Sequence, residues 1–233
     1  FRAPHHTASH TALVGGGTHP RPGEVTLAHR GVLFLDEFPE FERRSLDALR
    51  QPLEDRVVSI TRVHASVLFP ADFMLIAAMN PTRGGDERGD YTEQMLHTYK
   101  EKISGPILDR IDLWLPVPHV DYETLTRKRI VHTSDETKRA REHILRARER
   151  QRIRLQGRGA RTNAEMTARD IEACIELTPD VTTLLREAGA KLGLSPRGYH
   201  RLVKVSRTIA DLDDADTIRT AHVLEALQYR VKM

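Results

Sequence analysis

The chain has 233 residues, 39% hydrophobic and 30% charged, which suits one large domain or a medium domain plus a small one. Its one cysteine, Cys174, excludes a disulfide framework and a cysteine-built zinc site and fits a reducing cytoplasm, and no apolar run approaches the roughly 18 residues of a membrane span. The net charge of +3 is uneven: residues 127–161 hold 13 Lys+Arg against 4 Asp+Glu, which suits either a polyanion partner or a long solvated helix with basic faces.

In chain order, GGGTHPRPG at Gly15–Gly23 is too rich in Gly and Pro for regular structure. Gly31–Leu35 is an apolar run of strand length, and Arg43–Leu53 reads as a helix with Leu46, Leu49 and Leu53 on one face. VVSITRVHASVLF, Val57 to Phe69, has two β-rich runs around Thr61–His64 and predicts a hairpin. Phe73–Met79 and Ile111–Val117 are two further strand-length runs. None of the three alternates strictly, so a parallel sheet buried on both faces is expected. The composition changes near Val117–Tyr122, and the rest reads as helices at about 121–154, 164–176, 179–191, 195–211 and 216–229. Ser195 suits an N-cap and Pro196 the first helical position. The expected organisation is an α/β piece over 1–120 followed by an all-α piece over 121–233.

The chemistry gathers at strand ends. GVLFLDEF drives an apolar strand into Asp36 and Glu37, where an open α/β sheet binds ligands. A carboxylate there can hold Mg²⁺ through water beside a nucleotide's phosphates, and a second can orient the attacking water. FMLIAAMNP ends the next strand in Asn80, an amide able to orient that water; the plainer reading is a turn cap before Pro81. Arg110 precedes the third run and suits stabilisation of phosphoryl charge in a neighbouring subunit, or a local pair with Asp109 or Asp112. Arg197, in the first turn of a helix, suits a phosphate contact or an ordinary surface position. Among the other residues, Cys174 and Trp114 are expected in the core, and His5 and His6 are expected to cap or pack near the Gly-rich segment.

These residues reach a family. The strings FRAPHHTAS, ALVGGG, PRPGEVTLAHRGVLFLDE, LDALRQPLED, AAMNP, ISGPILDRIDL and LSPRGYHRLVKVSRTIADL give the chain a close resemblance, over nearly its whole length, to the magnesium-chelatase-like AAA+ ATPases of the ComM/YifB group. The resemblance implies part of an AAA+ P-loop NTPase core with a parallel sheet, followed by a helical lid. It implies ATP and Mg²⁺ as cofactors, with Asp36 and Glu37 as the Walker B pair, Asn80 as sensor 1, Arg110 as arginine finger and Arg197 as sensor 2. It also implies a helix-2 insert at Ser9–Gly31 and a pre-sensor-1 hairpin at Val57–Phe69, with Arg62 and His64 near the hairpin tip as DNA contacts. The implied activity is that of an ATP-driven motor in a hexameric ring acting on single-stranded or branched DNA, of the branch-migration kind used in natural transformation.

Two departures qualify the resemblance. No GxxxxGK[ST] occurs in these residues, so the phosphate loop is expected upstream, and the chain by itself is expected to be inactive and marginally stable or self-associating. NPTRGGDERGDYTEQ, Asn80 to Gln94, lacks the cysteine cluster many members carry there, so no zinc site is expected. A metal-chelatase motor subunit remains the alternative enzyme reading. A transcriptional-activator ATPase fits poorly, because TALVGGGTHP does not match the GAFTGA-type loop of that clade. For the chain alone, an assembly or binding module is the non-enzyme reading.

Overall fold

A computed structural model describes residues 1–62, 65–80, 102–117 and 133–230. They fall into two units, Phe1–Ile111 and Asp112–Met233.

The first unit is mixed α/β. Ser9 caps α1 (His10–Val14), its hydroxyl accepting the Ala12 N–H. The Gly-rich segment holds more order than its composition predicts: β1 (Gly15–Gly16) pairs antiparallel with β2 (Arg21–Pro22). Glycine is what permits this neck. A Cβ at Gly23 would lie 2.3 Å from the Gly15 nitrogen, and Gly15 itself sits at φ 98°. After α2 (Glu24–Leu27), β3 (Val32–Leu35) runs through the unit with Leu33 and Leu35 fully buried. Removing each from water is worth about 1.5–3 kcal/mol.

The predicted helix over Arg43–Leu53 is two helices, α3 (Arg43–Asp47) and α4 (Arg50–Asp55). Pro52 explains the break. In one continuous helix its ring would meet the Ala48 carbonyl, whereas a new start at Arg50 puts it in the first turn, where its missing N–H costs nothing. The hairpin is as predicted: β4 (Val57–Arg62) pairs antiparallel with β5 (Ala65–Pro70), Val57 opposite Pro70. β6 (Met74–Ala77) lies parallel to β3 in the register Val32↔Met74 to Leu35↔Ala77. The expectation that both faces are buried fails on β6, where Met74 is 58% and Ile76 43% exposed. α5 (Gly105–Leu108) closes the unit, burying Ile107 and Leu108.

The second unit is helical. The predicted strand over Ile111–Val117 does not form, and Leu113, Leu115 and Val117 are exposed. Instead the Trp114 N–H donates to the Tyr229 carbonyl at 2.9 Å. The helices are α6 (Thr133–Arg154), α7 (Ala168–Cys174), α8 (Pro179–Leu192), α9 (Pro196–Leu212) and α10 (Thr220–Gln228). The expected start of the first of them, before residue 133, lies outside the described residues. α7 opens with a capping box of Thr167 and Asp170, and α8 ends at Gly193 in the left-handed region. Leu185, Leu202, Val203, Ile218 and Val223 form the centre of the core, with Cys174 packed at its margin.

A buried charge cluster ties α6 to α9. Asp211 is fully buried and receives Arg154, Arg207 at 3.0 Å and the Asn163 amide at 2.8 Å. Burial pushes the Arg207 guanidinium below its ordinary pKa, against the opposing pull of Asp211. Part of the basic stretch is therefore paired within the unit. Arg146 pairs with Asp214, Arg150 with Asp216, Arg152 with Glu149 and Arg158 with Asp170.

Candidate functional site

Three backbone segments leave the sheet at one edge. β3 and β6 are parallel, so both carboxyl ends lie on the same side. On the other flank of β3, Arg2 makes a parallel bridge to Leu33. Its N–H donates to the Val32 carbonyl at 2.9 Å and its carbonyl accepts the Phe34 N–H at 2.8 Å. The edge beyond these three segments carries His6, Asp36 with Glu37, and Asn80.

The strand ends are stitched to each other. The Ala78 N–H donates to the Leu35 carbonyl at 2.9 Å, and the Phe38 N–H donates to the Ala78 carbonyl at 2.9 Å. This fixes the turn carrying Asp36 and Glu37 beside the segment ending in Asn80. All three side chains are exposed. Asp36 accepts the Glu37 N–H through Oδ1 at 2.9 Å. Glu37 stands at φ 50°, ψ 43°, a left-handed conformation uncommon for a non-glycine residue. Strain of this kind concentrates at functional positions. The Glu37 Oε2 lies 2.7 Å from the His6 Nδ1.

The sequence reading did not assign His6 to this edge. The expectation is that His5 and His6 cap or pack near the insert; their rings lie tilted at 34° with centroids 4.1 Å apart. The available signal was APHH following Arg2, which pairs with β3, but single-residue bridging leaves no periodic pattern to read.

The edge suits a hydrated divalent cation beside phosphate. Its donors are hard carboxylate and amide oxygens open to water, the ligand type Mg²⁺ takes while keeping several waters. The phosphate-cradling loop is not among these residues.

Arg110 lies in the same unit, directly after α5. Its Nε lies 3.3 Å from the Glu54 Oε2, and its Nη1 donates to the Pro106 carbonyl at 2.6 Å. Arg62 ends β4 opposite Ala65, and His64 lies outside the described residues. In the second unit, Arg197 is exposed at the second position of α9, whose N-cap Ser195 accepts the Gly198 N–H at 3.1 Å. One turn later Arg201 holds Asp112 at 2.8 Å.

Residues 1–125 match the family described as magnesium chelatase, subunit ChlI, and residues 134–230 match its C-terminal family. The chain belongs to this magnesium-chelatase-like family, within the group that includes ComM and YifB. It is 47% identical over 99% of its length to "Competence protein ComM" of Haemophilus influenzae and 44% identical over 99% to YifB of Escherichia coli, covering 45% of each. A more distant similarity, 28% identity over 78% of the chain and 24% of the relative, links it to "DNA replication licensing factor Mcm6" of Drosophila melanogaster. The chain thus spans about half the length of the ComM and YifB relatives.

Proposed function

We propose that the chain is the Walker B, sensor and lid portion of an AAA+ ATPase that works as a hexameric motor on DNA. The observation that carries the ATPase reading is the parallel register of β3 and β6, which sets the Asp36–Glu37 pair and Asn80 on one sheet edge. Asp36 would hold a hydrated Mg²⁺ through water, and the cation when bound would supply charge neutralisation to the phosphates of ATP. Glu37 accepts a hydrogen bond from the attacking water and takes its proton as the water oxygen bonds to phosphorus. Asn80 orients that water, Arg197 contacts phosphate, and Arg110 serves the site of a neighbouring subunit.

The DNA assignment draws on the names of two relatives, a competence protein and a replication licensing factor. Arg62 and His64 at the hairpin tip are the proposed DNA contacts. The basic charge of α6 supports this less than composition suggests, because several of its arginines serve acidic partners in the same unit. Cytoplasmic location follows the same reading; among the described residues no helix is long and apolar enough to cross a membrane.

A second reading, a metal-chelatase motor subunit, is favoured by the description of the family that matches residues 1–125. Hydrolysis of Mg-ATP by the full-length gene product, with and without single-stranded or branched DNA, separates the two. The DNA-motor reading predicts a several-fold rise with DNA, lost as salt screens the phosphate contacts. ATP turnover indifferent to DNA leaves the chelatase reading in front.

A further inference from the structure

We propose that the outward face of α6, carrying Lys138, Arg141 and Arg148, is a contact for the phosphate backbone of DNA; the inference rests on the DNA part of the reading above and adds a second surface to it. The two sides of the helix differ. Arg146, Arg150 and Arg154, four residues apart, reach Asp214, Asp216 and Asp211 at and just beyond the end of α9. Lys138, Arg141 and Arg148 are exposed on the other side, and none of the three has an ion pair or hydrogen bond among the described residues.

Helix geometry gathers these three charges. At about 100° per residue they fall within an arc of about 80°, opposite the arginines that serve α9. At about 1.5 Å per residue the row from Lys138 to Arg148 is about 15 Å long. No acidic side chain shares the arc. Arg152 does share it, but Glu149 at the margin holds its Nε at 2.7 Å. The row also stands clear of its own unit. Every side chain from Asp135 to Arg146 is exposed, and α6 enters the core only from Ala147 and Gln151 onward.

Like charges three and four residues apart repel along a helix, and nothing acidic within the unit relieves this row. A line of exposed cations with no buried donor gives a small anion no enclosure. It matches a polymer whose charges are also in line, where each cation acts by releasing a condensed counterion. The row holds one apolar side chain, Leu145, at 59% exposure. That falls short of the apolar centre that a stable protein interface buries, whereas phosphate contacts require only charge and reach.

The test measures binding of a labelled single-stranded oligonucleotide to the full-length protein across a salt series. Lys138→Gln, Arg141→Gln and Arg148→Gln combined lower the slope of log affinity against log salt by about 2, equally for different sequences. Arg146→Gln, whose charge is already held by Asp214, leaves the slope unchanged. Arg141→Lys with Arg148→Lys keeps the wild-type slope, since charge rather than fork geometry is used. Because all three positions are exposed, the triple variant unfolds at a Tm no lower than wild type. The proposal is overturned if the triple variant keeps the wild-type slope, or if Arg146→Gln lowers it as much. It is also overturned if the loss comes with a fall in oligomeric mass by light scattering, which would make an acidic face of a second copy the occupant. A wild-type protein that binds no oligonucleotide instead sinks the DNA reading and the role of this face with it.

Discussion

Arg110 meets Glu54 with Nε 3.3 Å from Oε2, and both side chains are mostly buried, at 16% and 28% exposure. On the proposed role of Arg110 toward a neighbouring subunit, this pair would fix the root of its side chain. Arg110→Ala in the full-length protein is predicted to lower kcat by about 10³-fold, the low end for an arginine finger. Glu54→Gln should lower kcat less and cost about 1–2 kcal/mol of stability, between the values of exposed and buried pairs. Steady-state kinetics and urea unfolding of both variants check this; an unchanged kcat for Arg110→Ala removes it from the site.

Asp211 is the charge on which the helical unit turns. It is fully buried and faces Arg154 and Arg207, with the Asn163 amide and, at 3.9 Å, the Arg150 Nε also beside it. Asp211→Ala leaves those cations without their counter-charge in a low-dielectric interior. The expected loss is about 3–5 kcal/mol, read by denaturant unfolding, and Asp211→Asn should lose less because it keeps one acceptor oxygen.

The Arg2–Glu24 pair predicts a pH dependence. Arg2 donates to Glu24 from Nε at 2.5 Å and from a terminal nitrogen at 2.7 Å. These hydrogen bonds hold the Glu24 carboxyl below its ordinary pKa, outweighing the opposing effect of burial. A group whose pKa is depressed on folding stabilises above its unfolded value and loses that contribution as pH falls through its folded value. The Tm difference between wild type and Glu24→Gln should therefore be full at neutral pH and shrink as pH falls below the ordinary carboxylate range. A difference that persists undiminished in strong acid contradicts the pairing.

What the sequence made legible depended on whether one pattern decided the outcome. The β4–β5 hairpin was readable because two β-rich runs flank a short turn, and the start of α9 because Ser195 and Pro196 suit their cap positions. The helix break before α4 was also written there, in Pro52, but the spacing of three leucines hid it. Ile111–Val117 misled because an apolar run states a wish to be buried, not a strand to pair with. Of the site, the Asp36–Glu37 pair and Asn80 stood out as polar endings of apolar strands. His6 did not, because its place depends on one bridge between Arg2 and Leu33 and on the turn at Glu37. Glu54 was equally hidden, as its contact with Arg110 joins residues far apart in sequence.

The most direct measurement of the central claim is single-turnover and steady-state ATP hydrolysis by full-length protein carrying Glu37→Gln, beside equilibrium ATP binding. Glutamine keeps the shape and removes the carboxylate proposed to act on water. The account predicts a kcat lowered at least 100-fold with ATP affinity nearly unchanged, within the range for loss of a positioned acid–base group. Turnover within a few-fold of wild type would contradict it and leave the Asp36–Glu37 edge without the role assigned to it.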